Sequence, residues 1–158
     1  MAYRGDNRAS RYLGHPAMQP GEYAAWLSER SAEWALDEPG HRRFYGIEIT
    51  ATGALVGDAV LIRSPDDGQG EMGMFLHPDT SGLGYSLEAG AALLDLAFRE
   101  LRLHRVVGRA DERNGGSVRA MERMGLRREG RFIESELRHG AWVTTVLYAI
   151  LGSEWLSR

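Results

Sequence analysis

The chain contains no cysteine, which excludes disulfides, thiolate metal ligands and thiol nucleophiles. It contains no lysine either, so all 19 basic residues are arginine. That removes Schiff-base chemistry and the phosphate-gripping lysine of a P-loop. Histidine is sparse: His15, His41, His77, His104 and His139 stand far apart, so no metal site is expected. There is no leader pattern and no apolar run of about 18 residues, so no membrane partner and a cytoplasmic location are expected. An excess of positive charge is also missing. The formal net charge of −3 argues against a broad nucleic-acid-binding face.

What is present suits one globular domain spanning residues 1–158. Hydrophobic residues make up 43% and charged residues 26%, as in an ordinary folded protein. Residues 1–20 read as irregular. "GEYAAWLSERSAEWAL" (21–36) places Tyr23, Trp26, Leu27 and Trp34 at the spacing of a half-buried helix. Strands are predicted over 43–49, 55–63 and 71–77, the first two joined by a hairpin turn and the last two by "SPDDGQG". From Leu83 to Leu101 the apolar residues Leu87, Ala91, Leu94 and Phe98 line one helical face. A strand over 103–110 follows, then a short helix over 115–124 with Gly125 at its left-handed cap. Strands over 126–137 and 141–151 close the chain. The reading is a mixed α/β sheet with one strand–helix–strand crossover.

That crossover opens on "DTSGLGYSLEAGAALL" (79–94), where Gly82 and Gly84 precede the helix. Backbone N–H groups at a helix start, with no Cβ in the way, suit an anion. A tight glycine turn explains the same letters. A dinucleotide fingerprint fails, because position 87 is leucine where a third glycine is needed.

The surroundings carry more. "EMGMFLHPDTSGLGYSLEA", "LAFRELRLHRVVGRADERNGGSVRAMERMGLRREG" and "GAWVTTVLYAILGSEW", in that linked order, resemble the GNAT acyl-CoA N-acyltransferases. The closer resemblance is to the branch holding the ribosomal-protein N-terminal acetyltransferases, and it runs from Arg11 to Trp155. It implies a GNAT-like, mostly antiparallel sheet flanked by helices. The parallel strands near 71–77 and 104–110 would splay apart, with Gly73 as a bulge position. The pantetheine arm of acetyl-CoA would pair with the backbone of Phe75, Leu76 and His77. The pyrophosphate would sit on N–H groups of Thr80, Ser81, Gly82, Leu83, Gly84 and Tyr85. Asn114 would hold the pantetheine arm, and Ser117 would face the sulfur as donor or acid. Both residue types are also ordinary helix starters.

The implied reaction is direct attack of a primary amine, at a protein N-terminus or on a small molecule, on the thioester of acetyl-CoA. Glu71 would take the amine's proton, with Asp58 and Glu48 as rival bases. Tyr85 and Tyr148 are further proton donors to weigh. Trp26, Trp34 and Trp142 are candidates for an acceptor pocket, and Arg119 and Arg123 for phosphate contacts. Core packing or a solvated face explains each of these as well.

The chain departs from the family pattern at three places. Asp79 replaces a common glutamine or arginine and brings negative charge beside the proposed pyrophosphate. Thr144 and Thr145 stand where an acidic residue is common. The family's first strand has no counterpart, which leaves an exposed sheet edge and room for a homodimer. Asp79 and the absent strand support the alternative reading: a GNAT-like module that binds acyl-CoA or a partner without turnover.

Overall fold

The computed structural model describes residues 3–31, 36–65 and 68–158. Six strands form one sheet in the order β1-β2-β3-β4-β6-β5. They are β1 (Arg42–Ile49), β2 (Ala54–Arg63), β3 (Gln69–Leu76), β4 (Arg105–Asp111), β5 (Arg127–Arg138) and β6 (Ala141–Leu151). Every neighbouring pair is antiparallel except β3–β4. The predicted strands are all present, within about two residues at their ends.

Helices α1 (Asn7–Ser10), α2 (Pro20–Ser31), α3 (Tyr85–Asp95), α4 (Gly115–Met124) and α5 (Gly152–Leu156) flank the sheet. The helical turn α1 lies in the stretch read as irregular. The predicted helix over 21–36 is seen as α2; Trp34 lies outside the described residues.

Alternation along the strands assigns the two faces. Met74 points to the face covered by α3 and α4, where a Cβ on Gly90 would meet Met74 and Met124. Phe75 points to the opposite face and packs on Tyr3, with ring centroids 5.7 Å apart. The main core, including Leu61, Leu94, Val106 and Ile150, lies between the sheet and α3–α4. β6 sits between β4 and β5 and is buried along most of its length, which suits its near-continuous apolar sequence.

α3 starts later than the apolar pattern suggests. Gly84 has φ 93°, a left-handed conformation outside a right-handed helix, so Leu83 stays in the turn and is 65% exposed. Past Asp95 the helix widens into a π-turn over Leu96–Glu100, which buries Ala97 and Phe98. α4 keeps its predicted bounds. Asn114 caps it by accepting from the Ser117 N–H at 3.1 Å, and Gly125 ends it at φ 88°.

Glu112 ties the end of β4 to β5. It accepts from Arg131 at 2.7 and 2.8 Å and from Arg128 at 2.9 Å. The hydrogen bonds from Arg131 are the largest cause holding its carboxyl down at about 2, well below the ordinary 4.5. A carboxylate depressed in the folded state adds stability in full above its unfolded pKa and loses it as pH falls through the folded one. Glu112→Gln is therefore expected to lower Tm by a constant margin above pH 4.5, with the margin closing toward pH 2. Thermal melts of both proteins along a pH series measure it. A margin that stays constant down to pH 2.5 would show that Glu112 carries no such linkage.

Candidate active site

β3 and β4 pair in parallel only from Gln69↔Arg105 to Met72↔Gly108. Beyond that point each strand follows its outer partner. β3 stays on β2 as far as Leu76, and β4 stays on β6 as far as Asp111. The result is a fork at the C-terminal ends of two parallel strands, where open α/β sheets place their ligands. The β2–β3 register runs unbroken past Gly73, so the fork opens without the bulge expected there.

The ladder decides which backbone groups face the gap. The His77 N–H donates to the Val56 carbonyl at 2.7 Å. Antiparallel bonding alternates, so Phe75 and His77 turn their polar groups toward β2. Met74 and Leu76 turn theirs toward the fork.

At the open end of the fork lies the glycine turn. Thr80 and Ser81 already donate their N–H groups to His77 and Pro78, and Leu83 donates to Thr80 at 3.5 Å. Among the described residues, the N–H groups of Gly82, Gly84, Tyr85 and Ser86 have no protein acceptor. Gly82 at φ 82° and Gly84 at φ 93° turn the backbone this way, and nothing lies within 4 Å of a Cβ built on either. Anion-site physics and the turn's conformational need therefore act at the same two glycines.

Asp79 does not leave bare negative charge at this turn. Its carboxylate pairs with Arg8 at 3.1 Å and lies 3.7 Å from His77 Nδ1. Arg8 also binds Asp6.

The carboxylates weighed as bases separate cleanly. Asp58 is buried and accepts a two-pronged hydrogen bond from Arg4, at 2.8 Å from Nε and 2.5 Å from Nη2. The Arg4 guanidinium also stacks 4.0 Å from the Trp26 ring centroid and 4.9 Å from that of Phe75. Glu48 lines a cavity of about 420 Å³ between β1 and α3, two strands from the fork. Glu71 stands one residue before the last β3–β4 pair. Its carboxylate is partly exposed, 3.5 Å from Arg109 Nε.

Ser117 and Asn114 sit at the start of α4, which follows the β4 arm. The Asn114 N–H donates to the Asp111 carbonyl at 2.8 Å. The Ser117 hydroxyl has no partner among the described residues, and the Asn114 amide nitrogen keeps its donors.

The other candidates have structural duties or stand apart. Tyr148 is buried and donates to Glu122 at 2.9 Å. Burial first, and that hydrogen bond second, raise its hydroxyl pKa. Trp26 packs edge-on against Phe44, with centroids 5.2 Å apart, and Trp142 is exposed. Thr145 is buried and donates to Glu136 at 3.0 Å. Among the described residues, no three His, Asp or Glu side chains gather as a metal cage.

The family described as the Acetyltransferase (GNAT) domain matches residues 1–127. The chain belongs to this family. The uncharacterized N-acetyltransferase YnaD of Bacillus subtilis is 26% identical over 153 residues, covering 97% of this chain and 86% of YnaD. The probable N-acetyltransferase YjcK of the same organism is 35% identical over 83 residues, 52% of this chain and 46% of YjcK. A GNAT acetyltransferase structure from Bacillus anthracis superposes with a TM-score of 0.85 at 25% identity, covering 96% of this chain and 86% of that one. The spermidine N-acetyltransferase of Vibrio cholerae, in complex with CoA and spermine, gives 0.81 at 20% identity, covering 98% and 89%. At that identity the likeness is one of fold.

In this GNAT domain two site features were out of reach of sequence reasoning. Where Phe75, Leu76 and His77 were expected, the β2–β3 register turns the backbone groups of Met74 and Leu76, and not those of Phe75 or His77, toward the fork. Arg109 joins Glu71 because the parallel register puts Val107 opposite Glu71, so the next residue on that face lies just past the fork. Alternation alone would put Arg109 and Val107 on one face; their distance from Glu71 needed the register.

Proposed function

We propose that the chain transfers an acetyl group from acetyl-CoA to a primary amine at the β3–β4 fork. The observation that carries this reading is the set of unpartnered N–H groups in the glycine turn, at the open end of the fork. Gly82, Gly84, Tyr85 and Ser86 would hold the pyrophosphate, with Thr80, Ser81 and Leu83 shaping the turn. Met74 and Leu76 would bond the pantetheine arm, flanked by Phe75 and His77, with Asn114 adding an amide. Arg8 supports the reading by countering Asp79 where that charge would oppose an anion.

Acetyl-CoA supplies the activated acyl group; the chain's residues supply positioning and proton handling. Glu71 receives the proton of the attacking amine as the C–N bond forms. The Met74 N–H stabilises the negative charge that develops on the carbonyl oxygen. Ser117 donates a hydrogen bond or proton to the departing sulfur as the C–S bond breaks. The acceptor, a protein N-terminus or a small molecule, belongs to this proposal, as does the ribosomal-protein branch suggested by the motifs.

Steady-state acetyl transfer, read as release of free CoA thiol with a panel of amines, tests the reading. Ser117→Ala is expected to lower kcat by roughly tenfold or more while leaving the KM for acetyl-CoA unchanged. Turnover identical to wild type would remove Ser117 from the mechanism. Absence of transfer to every amine, by a protein that binds CoA, would favour the non-catalytic module.

A further inference from the structure

Among the described residues, the carboxylates around the fork on the face of the sheet that carries Glu71 stand paired with arginines. Asp58 pairs with Arg4, Asp111 with Arg113, Glu136 with Arg138 and Glu71 with Arg109. A polycationic acceptor needs surplus carboxylates to replace its water and counter-ions. This face is balanced instead.

The four arginines differ in what they have left to offer. Arg4 donates two bonds to Asp58. Arg113 grips Asp111 through Nε and Nη2. Arg138 binds Glu136 and the Tyr12 carbonyl. Arg109 makes the 3.5 Å contact of its Nε with Glu71, its charge also bears on Glu136, and its side chain is 49% exposed. Its terminal nitrogens have no hydrogen-bond partner among the described residues. A guanidinium with two unengaged nitrogens is a fork-shaped receptor for a carboxylate or carbonyl oxygen.

Arg109 follows Gly108, the last β4 residue paired with β3. One side chain that takes an amine and one that takes an oxygen therefore stand 3.5 Å apart at the crotch of the fork. We infer that Glu71 and Arg109 form a paired clamp for an α-amino group with its neighbouring carboxylate or carbonyl. The acceptor is then a free amino acid or a peptide N-terminus, and a polyamine is disfavoured. This inference rests on the acetyl-transfer reading above.

The test compares acceptors in the presence of acetyl-CoA: the free amino acids, an alanine-headed tripeptide, spermidine and butylamine. Wild type is expected to show kcat/KM for its best α-amino acceptor at least tenfold above that for butylamine or spermidine. Arg109→Met is expected to erase that preference by raising KM at least tenfold more for the α-amino acceptor than for butylamine, and Arg109→Lys to restore part of it. Free amino acids against the tripeptide distinguish carboxylate from carbonyl recognition. Wild type using spermidine or butylamine as well as any α-amino acceptor would overturn the clamp. So would Arg109→Met lowering all acceptors alike, which would mark Arg109 as a positioning residue for Glu71. If no acceptor is acetylated, the transfer reading fails by itself. NMR titration of the same α-amino compounds into the desulfo-CoA complex then decides the clamp, which is wrong if wild type and Arg109→Met bind them equally.

Discussion

Glu71→Gln is expected to lower kcat/KM for acetyl transfer by about 10²-fold or more, with no change in acetyl-CoA affinity. Glu71 is the carboxylate at the crotch of the fork, one residue before the last β3–β4 pair. Its rivals are committed elsewhere: Asp58 to the buried Arg4, and Glu48 to the cavity under β1. Glutamine keeps the size and one acceptor oxygen but cannot take a proton. An α-amino acceptor has a pKa of about 7.7–8.0, so part of the acceptor is already neutral near pH 8. The deficit of the variant is therefore expected to be largest below pH 7 and to narrow as pH rises toward 9. Initial rates across that range measure it. A deficit that is constant with pH, or a matching loss of acetyl-CoA binding, would show that Glu71 shapes the site and does not accept the proton.

Arg4→Met is expected to lower thermal stability by roughly 10 °C. The side chains of Arg4 and Asp58 are only 7% and 11% exposed. Removing one partner of such a pair leaves an uncompensated charge and costs about 3–5 kcal/mol, and each kcal/mol moves Tm by about 2–4 °C at this chain length. The guanidinium also lies against Trp26 and Phe75, so one side chain clasps the N-terminal segment onto α2 and onto the β3 arm of the fork. The double variant Arg4→Met with Asp58→Leu is expected to recover a large part of the loss, because no charge remains buried. Differential scanning calorimetry of wild type and both variants gives the answer. A single variant within about 2 °C of wild type would mean that Asp58 finds water or another partner.

The order of strands and helices was legible because each element carries its own local signal. Turn residues mark the β1–β2 hairpin, and α4 has Asn114 and Gly125 at its ends. The GNAT resemblance followed from that order together with the glycine turn. Features that depend on register or on contacts distant in sequence were not legible. Leu83 fits the apolar helix pattern yet lies in the turn, because the left-handed Gly84 delays the helix. Phe75 lies in β3 and His77 just past its end, and both turn their backbone groups toward β2, since a one-residue change of alternation swaps the edge that each backbone group faces. The direction of the Asp58 side chain depended on Arg4, 54 residues away. The charge of Asp79 read as an obstacle to an anion because its partner Arg8 lies 71 positions upstream.

The proposed function stands on the fork and its glycine turn holding the pyrophosphate–pantetheine arm of an acyl-CoA. Isothermal titration calorimetry of the 158-residue chain with acetyl-CoA, desulfo-CoA and ATP tests it most directly. Saturable one-to-one binding of both CoA compounds is expected, with no measurable binding of ATP, and with loss of CoA binding when Gly84 is replaced by valine in a protein that stays folded. No CoA binding by the folded wild-type chain, or binding that Gly84→Val leaves untouched, would contradict it.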